Sequence, residues 1–595
     1  MGKLSCRSRQ RVLALVLGLG VVMALWRLGS TGLIDETPPL FAAAGRAMAE
    51  TGDWLTPRVN GLPRYDKPPL VYWLMGLGYA LPGEGLWDPL GSWAARLPSA
   101  LSCMAVMLGL ADTLLRWPQN QDQHPLWTAV AAPLGFALSP LVLIWSRTAV
   151  SDALLCALLS LSLLLQWRRF AEPDQQHWAP AWVVLGFAVL AKGPVAVVLS
   201  GLTLLAFGLL RRELGLLWRR LRPLPGLAIT ALISLPWYAA ELLVEGQPFW
   251  DSFFGYHNLQ RFTSVVNNHL QPWWYFIPLM LIAALPWTAF LLLGLLQIRL
   301  DDSPPQQSLQ QFAGCWLFAV LLLFTTAATK LPSYWIPATP AAALLMALSL
   351  RRRSLGVAIA CVVTVVLVSG LSLVFWMSGQ WIPLIDDPEM PTLVQDLLAS
   401  GLVLRAGAWF TLAVLLGVFT LRRAPVQRVV AMQLPLVLFH LTALIPIAEL
   451  ADQLRQRPVR DVAAQMLQHQ RGDEPLAMVG VMKPSLHFYT KKIVLFEGRS
   501  DGALVNLVDR LSHEQRRGWT GRPIAPGAAG STVLIAIDRG TSSKPYWQDL
   551  SPVLLGEHGI YQLWRVDRSR LQARANALVV DGATADWQDP RPERY

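Results

Sequence analysis

Mainly apolar runs of about 17 to 25 residues, the length a helix needs to cross the hydrocarbon core of a bilayer, recur along the first 450 residues of this chain. A backbone inside lipid must satisfy its own hydrogen bonds, which restricts such runs to helices or closed barrels, and runs of this length mean helices. They lie roughly at 11–28, 95–115, 125–145, 152–167, 179–191, 195–210, 225–243, 273–297, 308–328, 333–350, 355–377, 401–420 and 428–449. The pattern predicts an all-α polytopic membrane protein with about thirteen spans. The fifth and sixth are the least separate, since AKGP (191–194) could also interrupt one long helix. Residues 3 to 25 have the build of a signal peptide but no small-residue cleavage site follows, so they read as an uncleaved first span.

Charge gives the runs a direction. The chain is only 15% charged, with a mean hydropathy of +0.39 and a net charge of +11. That excess does not mark a nucleic-acid binder, because most arginines sit in short clusters between apolar runs. Cytoplasmic loops hold the excess Lys and Arg. Lys3, Arg7, Arg9 and Arg11 therefore put the N-terminus inside, and WRR (167–169), RRELGLLWRRLR (211–222), RRR (351–353) and LRRAPVQR (421–428) fall on the same side. The alternate loops, 29–94, 244–272 and 378–400, are long and mixed in charge and fall outside. The five cysteines (Cys6, Cys103, Cys156, Cys315, Cys361) have no metal-ligand spacing and suggest neither a disulfide framework nor a zinc site.

The chain divides near residue 450. Beyond it the apolar runs shorten to strand length in LAMVGVM (476–482), KIVLF (492–496) and TVLIAI (532–537), with a helical pattern, ALVNLVDRLSHEQRR, between the last two. The alternation predicts a small α/β domain over 451–595, outside the membrane, after a membrane domain over 1–450 whose first outer loop spans about 29–94.

Chemistry-bearing residues collect on the outer side. Of eight lysines, only Lys3, Lys67, Lys192 and Lys330 precede residue 450, and the last three stand in YDKPPL, AKGPV and TKLPSYW, each with a proline one or two residues on. Positive-inside bias should keep lysine off this face. Snorkelling to headgroups accounts for one such residue; three in similar Pro-bounded turns point to something negative at the outer surface. Asp35 and Glu36 follow the first span in GLIDETPPLF, Arg64 and Asp66 flank Tyr65, and Asp152 opens the fourth span, where an acid also complements a helix dipole. His257 and Arg261 in FFGYHNLQRFTS share a helical face at i, i+4, a spacing that a solvated face would also give. Trp273 and Trp274 read as an interfacial aromatic belt. Cations of this kind hold phosphate and carboxylates serve as general bases. Together at a membrane surface they suggest transfer chemistry on a phosphate-bearing lipid.

The ordered set DE, GDW, YDKPPLVYW, an Asp opening a later span, AKGP, HNLQRF and TKLPSYWIP resembles the bacterial membrane glycosyltransferases of the GT-C class. The nearest likeness is to the lipid A aminoarabinose transferases within the wider protein mannosyltransferase group, well carried over residues 30 to 345. The resemblance implies a sugar donor on a polyprenyl phosphate, transfer at the extracytoplasmic face of the bacterial inner membrane, and inversion at the anomeric carbon. It implies a catalytic or acceptor-positioning role for Asp35, with Asp152 as the second acid. Lys67, Arg261, Lys330 and Tyr334 would contact the donor phosphate, with Glu36, Asp66, Arg64, His257 and Lys192 in support. Asp66 stands where the aminoarabinose enzymes usually have Glu; its shorter arm assigns no metal site, and a divalent ion stays open. So does the acceptor, which relatives draw from lipids, glycans and proteins. The segment YWLMGLGYAL (72–81) is expected to line an apolar groove for the lipid tail. A transporter or flippase would place ionisable groups inside its spans, often in repeated halves, and neither feature is found; a surface-polysaccharide ligase or polymerase would use the same donors.

Overall fold

The computed structural model describes residues 5–265, 270–298, 303–514, 516–517, 523–524 and 530–588; Lys3 lies outside them. The apolar runs are helical. Eight helices are long and apolar enough to cross a membrane: Cys6–Leu25, Ser92–Arg116, Asp152–Ala171, Pro223–Glu245, Leu309–Thr326, Leu355–Trp376, Leu402–Phe419 and the continuous run Pro425–His469. Phe276–Ala283 and Thr288–Leu296 make a ninth if taken as one span, although they meet at 114°. Four shorter apolar helices are Leu70–Tyr79, Pro125–Ala137, Ala179–Lys192 and Val195–Arg211. Thirteen crossings are therefore not reached by full-length helices among the described residues. Proline marks the break at three places, since it cannot donate inside a helix. Pro140 restarts the third and Pro194 separates the fifth from the sixth. The tenth begins as a 3-10 turn, Pro332–Ala338, that passes through Pro337 before Thr339–Ser349.

The helices form a multi-pass bundle. Asp152–Ala171 runs through its middle, with Trp167 and Phe170 buried. Leu355–Trp376 lies at the periphery: its mean hydropathy is 2.7, yet Leu355, Val362, Val366 and Leu373 are exposed, as a surface solvated by lipid requires. The arginine clusters are tied together at one end of the bundle, where Arg168 pairs with Asp112 (3.0 Å), Arg169 donates to the Arg220 carbonyl (3.0 Å) and Arg353 to that of Arg422 (3.1 Å). The turns read from the sequence as outer loops meet at the opposite end.

The C-terminal segment carries a five-stranded mixed sheet of β1 (Leu476–Val479), β2 (Val494–Glu497), β3 (Thr532–Asp538), β4 (Val553–His558) and β5 (Tyr561–Asp567), in the order β2-β1-β3-β5-β4. β1 is parallel to β2 and β3, whereas β5 is antiparallel to β3 and β4. All three expected strand runs are present, and the expected helix is Gly502–His513. The expected join at residue 450 falls inside the continuous helical run Pro425–His469, which carries the chain from the bundle into the sheet domain.

That domain grips the segment that follows the first long helix. Asn60 mimics a strand partner: its side chain donates to the Val494 carbonyl (2.7 Å) and accepts from the Val494 N–H (2.9 Å). Its main-chain N–H donates to His487 Nε2 (2.9 Å) and its carbonyl accepts from Arg516 (3.0 Å). Nearby, Gly32 N–H donates to Asp452 (2.8 Å) and Leu33 N–H to the Tyr489 hydroxyl (3.1 Å).

Candidate active site

Asp35 and Glu36 stand at the turn into Thr37–Thr51, whose Pro38 and Pro39 fit a helix start because the first-turn N–H groups have no intrahelical partner. A two-stranded ribbon, Arg58–Val59 against Leu62–Pro63, delivers Arg64, Asp66 and Lys67. Asp152 opens its helix, Lys192 closes Ala179–Lys192, and Tyr334 sits in the turn Pro332–Ala338. His257 belongs to a π-helical segment, Trp250–Gln260, and Arg261 follows it. At π-helical pitch, as at α-helical pitch, residues four apart stay on one side, and both line the site. All of these side chains line one cavity of about 1250 Å³. Ile144, Trp145, Val198, Leu323, Phe324 and Phe262 give it an apolar wall.

The cavity's charges are strongly coupled. Asp66 lies between Arg64 (2.6 Å) and Lys67 (3.8 Å) and accepts from the Tyr72 hydroxyl (2.9 Å). Burial opposes its charge, but Arg64 and Lys67 overcome that and hold its carboxyl well below the usual range. Lys67 is pushed down to about 8, first by burial and then by Arg261, Lys192 and Arg64, with Asp66 resisting. Asp152 is paired with Lys192 (2.5 Å), whose ammonium also lies 5.6 Å from the Tyr334 ring centre. Burial and the neighbouring Lys67 push His257 down to about 2, so it adds no charge at neutral pH. Four cations (Arg64, Lys67, Lys192 and Arg261) and four carboxylates (Asp35, Glu36, Asp66 and Asp152) thus line the cavity, and its cations are of the kind that hold an anion.

Asp35 is held differently. Its Oδ1 accepts from the Ser485 main-chain N–H (2.9 Å) and its Oδ2 from the Ser485 hydroxyl (2.6 Å). Gln456, with its amide turned to match its surroundings, donates to the same Oδ2 (2.9 Å). Burial pushes the carboxyl up to about 7, while Ser485 and Lys483 pull it back. A carboxylate poised there suits general-base work near neutral pH.

Two expectations from the sequence are corrected. Lys330 does not line the cavity; it is buried and its ammonium donates to the Ala327 carbonyl of its own turn (2.6 Å). The segment 72–81 does not line it either, because Leu70–Tyr79 packs Gly76 against the Gly45 carbonyl and the Trp54 ring and buries Tyr72, Met75 and Tyr79. Arg147 also has a structural role: it caps the first helix, donating to the Trp26 and Arg27 carbonyls (both 2.9 Å). Sequence reasoning missed Ser485, Gln456 and the apolar wall. Lys483-Pro484 repeats the Lys-Pro signature of the outer turns and was the one available clue. Among the described residues no three His, Cys, Asp or Glu side chains stand close enough to hold a metal ion.

A multi-pass bundle, a cavity lined by cations at one end and a mixed-sheet domain beside it make up the arrangement that the motifs led us to expect of a GT-C fold. Known proteins are similar to parts of the chain. The family model for dolichyl-phosphate-mannose-protein mannosyltransferase matches residues 66–239, and that for the C-terminal domain of cyanobacterial RgtA-type glycosyltransferase matches 469–582. The undecaprenyl phosphate-alpha-4-amino-4-deoxy-L-arabinose arabinosyl transferase of Pseudomonas aeruginosa UCBPP-PA14 is 31% identical over 352 residues, 58% of this chain and 61% of that protein. A Pseudomonas fluorescens Pf0-1 protein of the same description is 28% identical over 362 residues. The chain thus matches about 61% of the length of these curated relatives. The crystal structure of ArnT from Cupriavidus metallidurans bound to undecaprenyl phosphate shares the fold, with a TM-score of 0.75 and 22% identity over 93% of this chain and 97% of that one. Its apo state aligns with a TM-score of 0.73.

Proposed function

We propose that this chain transfers a sugar from a polyprenyl-phosphate carrier to a lipid acceptor at the outer face of the bacterial inner membrane, inverting the anomeric carbon. The observation that carries the reading is the cavity itself. It sets the cations Arg64, Lys67, Lys192 and Arg261, the separately held Asp35 and an apolar wall around one space. The transfer would proceed by attack of an acceptor hydroxyl oxygen on the anomeric carbon as the bond from that carbon to the phosphate oxygen breaks. The lipid phosphate gains negative charge as it leaves, so it needs cations rather than a protonating acid. Preorganised Lys67 and Arg261 meet that need, with Tyr334 beside them. Asp35 takes the acceptor's proton, and Asp152, locked to Lys192, fixes the lysine rather than acting as the base. The lipid tail lies along Trp145, Val198, Leu323 and Phe324. The arginine-rich end faces the cytoplasm by the positive-inside rule, which puts the N-terminus inside and the C-terminal domain outside. The sugar chemistry of the relatives, an aminoarabinose on undecaprenyl phosphate, is the first donor to try, with lipid A as acceptor.

Native mass spectrometry of protein purified gently from its own membranes tests the donor site. A bound polyprenyl phosphate or its glycosyl ester is expected, and Lys67→Ala should weaken it about tenfold to a hundredfold, the worth of a charge-assisted hydrogen bond of about 1.5–3 kcal/mol. Equal binding of added undecaprenyl phosphate by native protein and Lys67→Ala would refute the phosphate assignment.

A further inference from the structure

Three of the four or so acceptor positions of the Asp35 carboxylate are filled from Ser485 and Gln456, in segments far along the chain. We propose that Ser485 of the C-terminal domain is a positioning residue for the reaction, orienting Asp35 so that its remaining lone pair faces the acceptor. The soluble domain is then part of the catalytic apparatus. The inference rests on the reading of Asp35 as the base.

The surroundings are built for rigidity. Ser485 is fully buried, and its hydroxyl reaches out of its own domain to the first outer loop. Two residues earlier, buried Lys483 pairs with Glu389 (2.7 Å). Glu389 also takes Arg455 (2.7 Å), the neighbour of Gln456. Both groups that grip Asp35 are thus braced through one carboxylate. On the loop side, the contacts of Gly32 with Asp452 and of Leu33 with Tyr489 fix the backbone just before Asp35. Docking of the domain does not need the Ser485 hydroxyl, because Asn60 and the Lys491–Glu50 pair (2.9 Å) bridge the same interface independently. The remaining charged or titratable groups that bear on Asp35 are Glu36, Lys483, Tyr489 and Tyr561, and none of them replaces the two Ser485 bonds.

Full-length protein in liposomes supplies the test, with turnover read as polyprenyl phosphate released from a lipid-linked sugar extract of the host's own membranes. Ser485→Ala should lower kcat about tenfold to a hundredfold, leave the donor KM within about twofold, and move the acid limb of the pH–rate profile upward, because a hydrogen bond to the ionised carboxylate is lost. Ser485→Thr should restore most of the rate. If Ser485→Ala keeps kcat and acid limb while Asp35→Asn is inactive, the positioning role is wrong and the base assignment stands. An active Asp35→Asn overturns both. Should Ser485→Ala undock the domain, seen as faster hydrogen exchange at Val494, Gln456→Leu decides instead. A depressed kcat and an upward-shifted acid limb support the proposal there, and unchanged values overturn it.

Discussion

Asp35 and Lys67 show how side chains of ordinary type acquire particular chemistry from their neighbours. Both are half-buried beside the same cavity, yet burial drives the acid up to about 7 and the lysine down to about 8. Each is thereby brought near the pH at which it would work. A base must be ionised and Lys67 must be charged, so kcat/KM should rise with pH through about 7 and fall above about 8, and Asp35→Asn should remove at least a hundredfold of the rate at its maximum. A rate profile of the two proteins checks this, with circular dichroism to confirm that the variant is folded; a flat profile across pH 6 to 8 would assign the base elsewhere. Asp35, Asp152, Lys67 and Arg261 were legible in the sequence because a charge at the edge of an apolar run is conspicuous. Lys330 looked equivalent to Lys67 and is not. Its difference is that it is buried away from the cavity, with its ammonium on the Ala327 carbonyl, which depends on how one turn closes and leaves no mark on composition.

AKGP illustrates what a short motif does between helices. Ala179–Lys192 ends at Gly193, whose φ of 96° and ψ of −164° belong to glycine alone. The turn aims Lys192 at Asp152, while Pro194 caps the start of Val195–Arg211. A Cβ on Gly193 would also come within 3.3 Å of the Phe253 ring. Gly193→Ala should therefore cost about 1–3 kcal/mol and weaken the Lys192–Asp152 pair. Thermal unfolding in detergent reads the first effect, and the donor KM the second. A variant as stable as the native protein would mean that the turn relaxes without strain. The same stretch shows a limit of periodicity: hydropathy left one helix or two open, and the glycine backbone decided it. The π-helical segment Trp250–Gln260 escaped for a related reason, since its wider pitch changes which residues share a face without changing the residues.

Docking of the sheet domain on the segment after the first long helix couples the two halves of the molecule, and it has a built-in pH dependence. His487 Nδ1 lies 2.7 Å from the Lys492 carbonyl, which makes Nδ1 the protonated nitrogen and leaves Nε2 to accept from Asn60. Burial pushes this imidazole down to about 4 from its usual 6.5. The folded state therefore binds the proton later than the unfolded one, so His487's contribution is fully present above about pH 6.5 and is lost as the pH falls toward 4. Hydrogen exchange at β2 should accelerate over that window. Asn60→Ala, which strands the Val494 N–H and carbonyl, should cost about 1–3 kcal/mol at neutral pH and release the same segment. Exchange unchanged by both treatments would show that the domain is held by other contacts.

Hydropathy and charge, read along the chain, determined that this is a multi-pass helical protein with a small sheet domain, and they drew Asp35, Lys67, Asp152, Lys192, Arg261 and Tyr334 onto one face. These are local properties: an apolar run of sufficient length must be helical in lipid, and turns joining successive crossings alternate between faces. Tertiary structure alone decided which cations are matched by carboxylates, which helices form the cavity's apolar wall, and that Ser485 and Gln456 grip Asp35. Those outcomes depend on packing between segments hundreds of residues apart, where ångström differences select a side chain's partner and so set its charge.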